Sequence, residues 1–271
     1  MIVTDKKFGM EKFLVEELDF LKKCVSKSWD GVILIDGVEG SAKTTLGGAC
    51  CYYLDPKFCL DNVVFTPQQF SERVDRATKG DAILWDEFSL AGLSTDAMTK
   101  VQGEILKKIT TIRKKGLYIV LVVSWFFELR KYFAVGRTRF LLHTTTPDGL
   151  TRGYMKYWGF DAKRKLYFKG RKNYEYVVKP TLRGRFVNTD GFFYDLEEYD
   201  KKKESAIKSI DFDGKKDTKW KKQRDTLVKV LVKDGYKQKA IGELIDVSQH
   251  LISGIINQEE EYPSKNGDVN V

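Results

Sequence analysis

A lysine followed by two hydroxyls, Lys43-Thr44-Thr45, closes a glycine-bearing stretch that begins at Gly37. The whole run reads Gly37-Val38-Glu39-Gly40-Ser41-Ala42-Lys43-Thr44-Thr45. Further on, two carboxylates, Asp86 and Glu87, end the apolar run Ala82-Ile83-Leu84-Trp85. A cation, a hydroxyl and paired carboxylates are the groups that handle a phosphate chain and its metal ion. Backbone N–H groups of such a loop turn inward and cradle phosphate oxygens. A helix N-terminus behind the loop adds partial positive charge. Lys43 would then reach the β- and γ-phosphates of ATP, and Thr44 would ligate Mg²⁺. Asp86 would hold the same Mg²⁺ through water, and Glu87 would orient and polarise the attacking water.

Both groups of residues need elements to aim them. Val32 to Asp36 reads as a strand ahead of the loop, and Leu46 to Tyr53 as a helix behind it. Strand, glycine-bearing loop, lysine, hydroxyl and helix is the layout of a P-loop, whose usual pattern is G-x-x-x-x-G-K-[ST]. Here Ala42 replaces the glycine before the lysine. Its methyl group is tolerable if the residue keeps a negative φ, with Gly40 supplying the freedom. On its own the stretch could be a glycine-rich turn that binds nothing. The second motif weighs against that. A parallel strand buried on both faces is apolar throughout, and its carboxyl end opens onto the ligand crevice. Asp86 and Glu87 stand at such an end.

Composition sets the bounds. The chain has 271 residues, 42% hydrophobic and 31% charged, which suits a globular protein of one large or two unequal domains. No apolar run approaches the ~18 residues of a membrane span, and Met1 to Met10 has no signal-peptide pattern. Cys24, Cys50, Cys51 and Cys59 lack metal-ligand spacing and read as reduced packing residues, which implies a cytoplasmic location (the host cytoplasm for a viral or plasmid gene). The net charge of +9 suits a phosphate polymer or an acidic membrane as partner, or simply a solvated surface; position favours a partner. The basic residues thicken after Arg113 and again between Lys201 and Lys239.

The remaining elements follow in order. Residues 11–24 form an amphipathic helix, Asn62 to Phe65 a short strand, and a helix starts at Pro67. Residues 94–115 form a long helix with Met98, Val101, Ile105, Ile109 and Ile112 at helical spacing. Tyr118 to Val123 is an apolar strand ending at Ser124, which could sense the γ-phosphate or merely cap a turn. Phe126 to Phe133 reads as helix and Arg139 to His143 as strand. Residues 153–178 alternate aromatic and basic, and Asp161-Ala162-Lys163-Arg164 suits the turn of an antiparallel hairpin. Residues 201–219 read as a charged linker or loose helix. Gln238 to Ser253 has the pattern of a helix-turn-helix, with Ile241 and Leu244 facing the core and Asp246 at the turn. Ile252, Ile255 and Ile256 would pack on Leu227, Val230 and Leu231. Gln249, His250 and Ser253 are the candidate contacts to DNA. The fold class is therefore α/β: a mainly parallel sheet covered by helices on both faces, a β-hairpin extension and a small C-terminal helical domain. The boundaries expected are 1–29 for an N-terminal helical segment, 30–200 for the P-loop domain with its extension at 153–178, 201–218 for the linker, 219–257 for the helix-turn-helix and 258–271 for a disordered tail.

Over residues 30–143 the assembled pattern resembles the additional-strand, catalytic-glutamate P-loop ATPases. Among these it is similar to FtsK/HerA-like DNA translocases, including viral genome-packaging and Zot-type ATPases. The resemblance implies ATP and Mg²⁺ as cofactors, a homo-oligomeric ring, duplex DNA as partner, and an arginine that completes the neighbour's site. Arg113, at the end of the helix after the second motif, is the first candidate; Arg137 and Arg139 are the others. The appended helix-turn-helix is not a defining part of those families. Two functions follow: a motor that translocates or packages DNA, or an ATP-switched loader or regulator that binds DNA. A nucleotide kinase fits less well, since no nucleoside pocket is evident.

Overall fold

The computed structural model describes residues 2–3, 9–88, 99–187, 194–215 and 219–257. Residues 94–98 of the expected long helix and the expected tail 258–271 lie outside them. The chain divides into two units, 1–210 and 211–271.

In the first unit, strands β1 (Ile2–Val3) and β2 (Gly9–Met10) pair antiparallel ahead of helix α1 (Lys12–Ser26). Strand β3 (Gly31–Gly37) leads into α2 (Lys43–Leu54). There follow β4 (Val63–Val64), α3 (Pro67–Arg76), β5 (Ala82–Trp85), α4 (Thr99–Lys115) and β6 (Tyr118–Val122). Then come β7 (Leu141–Thr145), β8 (Tyr154–Trp158), α5 (Phe160–Gly170), β9 (Leu182–Arg185) and α6 (Leu196–Lys215), which runs past the unit boundary at Ile210. One seven-stranded sheet runs in the order β4-β5-β6-β3-β7-β8-β9. Its first five strands are mutually parallel, and β8 and β9 add antiparallel at one edge.

The all-apolar strands explain this arrangement. β3, β5 and β6 are buried along their whole length, as parallel strands covered on both faces must be. One face packs on α1 and α2 through Ile33, Ile35, Leu46 and Cys50. The other packs on α3 and α4 through Leu34, Phe70, Trp85, Ile105, Ile109 and Ile112. Thr66 caps α3, accepting from Gln69 N, while Gln69 reaches back to the Thr66 N–H, a capping box ahead of Pro67.

Several expectations are corrected. Residues 153–178 are not a hairpin: β8 is followed by helix α5, and Asp161 to Arg164 lie in its first turns. Lys163, Leu166, Tyr167 and Gly170 are buried at helical spacing, so a 3.6-residue period underlies what looked like alternation. Lys163 is fully buried, donates to oxygens of Val135 and Thr138 and stands over the Phe160 ring, and burial pushes its ammonium down to about 7. The expected helix from Phe126 to Phe133 is a 3₁₀ turn at Phe126–Glu128 followed by a π-helical stretch at Tyr132–Arg137. Of the two readings of the charged segment from 201, linker or loose helix, the structure has a helix to Lys215, and α6 packs through Tyr199 and Ala206.

The second unit holds α7 (Lys219–Lys233), α8 (Gln238–Ile245) and α9 (Gln249–Asn257). Its core is Val228, Ile241, Ile252 and Ile255. Asp246 takes the left-handed conformation at the α8–α9 turn, φ +53°, which a short polar side chain tolerates. Gly242 is needed because a Cβ there would meet the Val247 carbonyl oxygen at 2.7 Å. Leu244 is a correction: it is 73% exposed. So are Leu227 and Val230, which are exposed because α7 turns Val228 inward instead. Gln249 and His250 are exposed and Ser253 is half-buried. No helix among the described residues is long and apolar enough to cross a membrane.

Candidate nucleotide site

The loop after β3 is shaped by close approaches. Gly37 has φ +142°, and a Cβ on it would lie 2.3 Å from Thr144 Oγ1 and 2.5 Å from Thr144 O. Only glycine lets β7 come this near. Ser41, fully buried, places its Oγ 2.6 Å from Thr144 Oγ1 and donates to Val38 O at 2.7 Å. The loop is thus clamped to β7 from both ends. Behind it, the buried Asp36 carboxylate meets His143 Nδ1 at 2.9 Å and accepts from Tyr176 Oη and the Phe126 N–H.

Ala42 departs from expectation. It sits at φ +67°, ψ +36°, as the N-cap of α2, and Gly40 is at φ +73°. Ala42 thus joins Gly37 and Gly40 at positive φ, and its methyl is carried in a conformation that costs a non-glycine residue about 1 kcal/mol or more. Ala42→Gly is expected to stabilise the fold by about 0.5–1 kcal/mol, the relief of strain being offset in part by the lost methyl contact. A urea midpoint that moves down instead would mean that packing outweighs strain.

The chemical groups converge at the carboxyl ends of β3 and β5. Lys43 Nζ donates to Gly37 O at 2.8 Å and to Val38 O at 2.9 Å, folded back on its own loop. Burial pushes its pKa down, while the charges of Glu87, Asp86, Asp36 and Glu39 pull it up. Thr44 Oγ1 donates to Asp86 Oδ2 at 3.1 Å. Asp86 is almost fully buried, and burial raises its pKa, against the Tyr199 hydrogen bond and the Lys203 charge. The backbone explains how Glu87 differs from its neighbour. Asp86 N donates to Val64 O and Phe88 N to Val122 O, so the residue between them is pinned on both sides. Glu87 takes φ +59° there and lines the cleft.

Those side chains line a cleft of about 490 Å³ with Glu39, Gly40, Ala42, Thr45, Ser124, Arg152 and Lys203. That size falls within the range of ligand clefts, ~300–1,000 Å³. β6, which carries Ser124 just past its end, lies between β3 and β5 although it follows both in sequence. The chain has an additional-strand P-loop fold. Its loop, hydroxyl and two carboxylates stand together at the carboxyl ends of β3 and β5, beside the start of α2. Asp86 and Thr44 also suit Mg²⁺: a buried carboxylate beside a hydroxyl is a hard-oxygen pair that gains from a cation.

Three contributors to the site were not evident from the sequence: Arg152, Tyr199 and Lys203. Arg152 lies between β7 and β8, its guanidinium 3.9 Å from where a Gly40 Cβ would stand. Tyr199 and Lys203 come from α6: Tyr199 Oη donates to Asp86 Oδ2, and Lys203 Nζ lies 3.0 Å from Glu87 Oε1. No motif marks them, because each depends on which distant segment folds over the loop.

The three arginines expected to act on a neighbour are elsewhere. Arg113 is exposed, its guanidinium 5.1 Å from the Trp29 ring centroid. Arg137 pairs with Asp30 and donates to Ile109 O. Arg139 stacks near Phe20 and Trp29 and donates to Cys24 Sγ. Trp29 and Asp30 immediately precede β3, so all three lie at the amino ends of the strands. The expectation that the end of α4 borders the cleft is corrected: α4 runs antiparallel to its strands, so its basic end lies opposite to the phosphate loop.

No family model and no curated protein sequence matches the chain. Solved structures to which it is similar include the N-terminal domain of zonular occludens toxin from Neisseria meningitidis, 16% identical, covering 64% of this chain and 98% of that one at a TM-score of 0.38. The genome packaging NTPase B204 from Sulfolobus turreted icosahedral virus 2, in complex with AMP, is 10% identical over 49% of this chain and 94% of that one, TM-score 0.33. Replication initiator DnaA bound to AMPPCP and single-stranded DNA is 13% identical over 92% and 86%, TM-score 0.36. The fold assignment rests on the strand order and the loop, not on these distant likenesses.

Proposed function

We propose that the chain is a Mg²⁺-dependent ATPase that works on DNA as a homo-oligomer. The observation that carries this is the convergence of Lys43, Thr44, Asp86 and Glu87 on one cleft, with β6 inserted between their strands. The loop N–H groups and the start of α2 hold the phosphates. Lys43 leaves the Gly37 and Val38 carbonyls and follows charge onto the transferring phosphoryl oxygens. Arg152 adds a second cation from the same subunit. Thr44 and Asp86 would hold Mg²⁺, which would supply charge neutralisation for the phosphates. Glu87 accepts a hydrogen bond from the attacking water and orients it, and Ser124 stands at the end of the inserted strand to contact water or phosphate. A neighbour's Arg113, Arg137 or Arg139 could act in trans only if the amino ends of its strands face this cleft.

The C-terminal unit supports the DNA reading through its helix–turn–helix geometry, with Gln249, His250 and Ser253 on α9 as the base-edge or phosphate contacts. Helix α9 itself carries no lysine or arginine, so phosphate contact would fall to basic residues elsewhere. Replacing Gln249, His250 and Ser253 together with alanine is expected to weaken duplex DNA binding at least tenfold while basal ATP turnover holds. The residual binding should fall steeply with salt, as phosphate contacts do. Fluorescence anisotropy across a salt series reads both effects. Unchanged affinity would assign the unit to protein contact.

Whether the enzyme is a translocating motor or an ATP-switched loader turns on DNA-stimulated turnover. A motor predicts strong stimulation by duplex DNA and displacement of a bound roadblock; a switch predicts neither.

A further inference from the structure

Helix α6 reaches the phosphate site through two side chains one turn apart. Tyr199, buried, donates to Asp86 Oδ2, the same oxygen that accepts from Thr44 at 3.1 Å. Lys203 places its ammonium 3.0 Å from Glu87 Oε1. Spacing of four residues puts the two on one helical face, and Ala206, buried, extends that face by a further turn. The docking is specific on all sides. Lys202 Nζ donates to Leu60 O and Val63 O, each at 2.8 Å. Tyr194 stacks on the Tyr199 ring at 5.0 Å, and Phe65 meets it edge-on at 5.4 Å.

The two contacts fall on the two carboxylates that metal-assisted hydrolysis needs. A phenol on Asp86 Oδ2 occupies a lone pair that a divalent cation, or the water on it, would take. An ammonium on Glu87 occupies the carboxylate oxygen that a water would otherwise meet. Lys43 is also out of position, folded onto Gly37 and Val38. Lys43, Asp86 and Glu87 are therefore each satisfied by groups of this chain.

We propose that the first half of α6 is an autoinhibitory segment, in which Tyr199 and Lys203 compete with the divalent cation and nucleotide for Asp86 and Glu87. Docking of α6 and loading of the site exclude one another. The proposal rests on the nucleotide reading above and adds how that site is regulated. α6 continues past Ile210 to Lys215, so the segment that occupies the site is also the covalent connection to the C-terminal helices.

The test uses the full chain, with Mn²⁺ as the metal probe and ADP as the nucleotide. Free Mn²⁺ is counted by electron paramagnetic resonance. Tyr199→Phe and Lys203→Gln are each expected to tighten Mn·ADP binding about tenfold, the scale of one hydrogen bond to a charged group. In the wild type, Mn·ADP is expected to speed amide hydrogen exchange across residues 196–206, because loading frees the helix. Equal or weaker binding in both variants, or slower exchange on loading, would overturn the proposal and make α6 a clamp on bound nucleotide. Lys43→Ala separates this from the underlying reading. If it binds ADP as well as wild type does, or if no form binds it, the P-loop assignment fails and the proposal falls with it. Loss of binding in Lys43→Ala with no gain in the α6 variants sinks the autoinhibition alone.

Discussion

Glu87→Gln is expected to lower ATP turnover by about 10²–10⁴-fold while nucleotide binding stays within a few-fold of wild type. The amide keeps the shape of the side chain and loses the charge that polarises water. The backbone favours a clean result, since Asp86 and Phe88 are each held by a neighbouring strand and fix the strained turn at Glu87. Asp86→Asn should behave differently. It removes charge from the buried carboxylate shared with Thr44, so its defect should appear in the Mg²⁺ concentration needed for half-maximal rate. Single-turnover phosphate release across a Mg²⁺ series distinguishes the two. Identical Mg²⁺ dependence would mean that the division between metal carboxylate and water carboxylate is wrong.

Lys43→Ala is expected to abolish measurable turnover, a loss of at least about 10²–10³-fold, and to weaken ATP binding as well. Two causes act together. The ammonium is lost from the transferring phosphate, and the loop loses the two hydrogen bonds that tie Lys43 to Gly37 O and Val38 O. Titration with a fluorescent ATP analogue reads the binding part, and steady-state phosphate release reads the rate. Lys43→Arg should rescue little, since a planar fork cannot fill a site shaped for a compact ammonium. Wild-type turnover in Lys43→Ala would overturn the phosphate-loop assignment.

The core of the site was legible because its chemistry is local. Gly37 to Thr45 and Ala82 to Glu87 are short runs whose residue types point to strand ends and phosphate. The apolar strands also implied a parallel sheet, and β3 to β7 form one. Misreadings arose where tertiary contact decides. Ala42 looked compatible with negative φ, yet the turn into α2 puts it in the left-handed region. Aromatic and basic alternation at 153–178 suggested a hairpin, but burial of Lys163, Leu166 and Tyr167 on one face makes residues 160–170 a helix. Arg113 ends a helix as expected, yet antiparallel packing carries that end away from the cleft. Tyr199 and Lys203 sit in a charged stretch with no motif, and only the docking of α6 gives them a target.

The clamp between Ser41 and Thr144 has a consequence for the order in which the molecule comes into being. The two residues that set the loop's curvature are 103 positions apart. At a synthesis rate of about 5–20 residues per second, roughly 5–20 s separate their appearance. Through nearly all of that interval the nascent chain holds every residue of the phosphate loop without the strand that clamps it. The loop therefore takes its clamped shape only once β7 has left the ribosome and paired with β3.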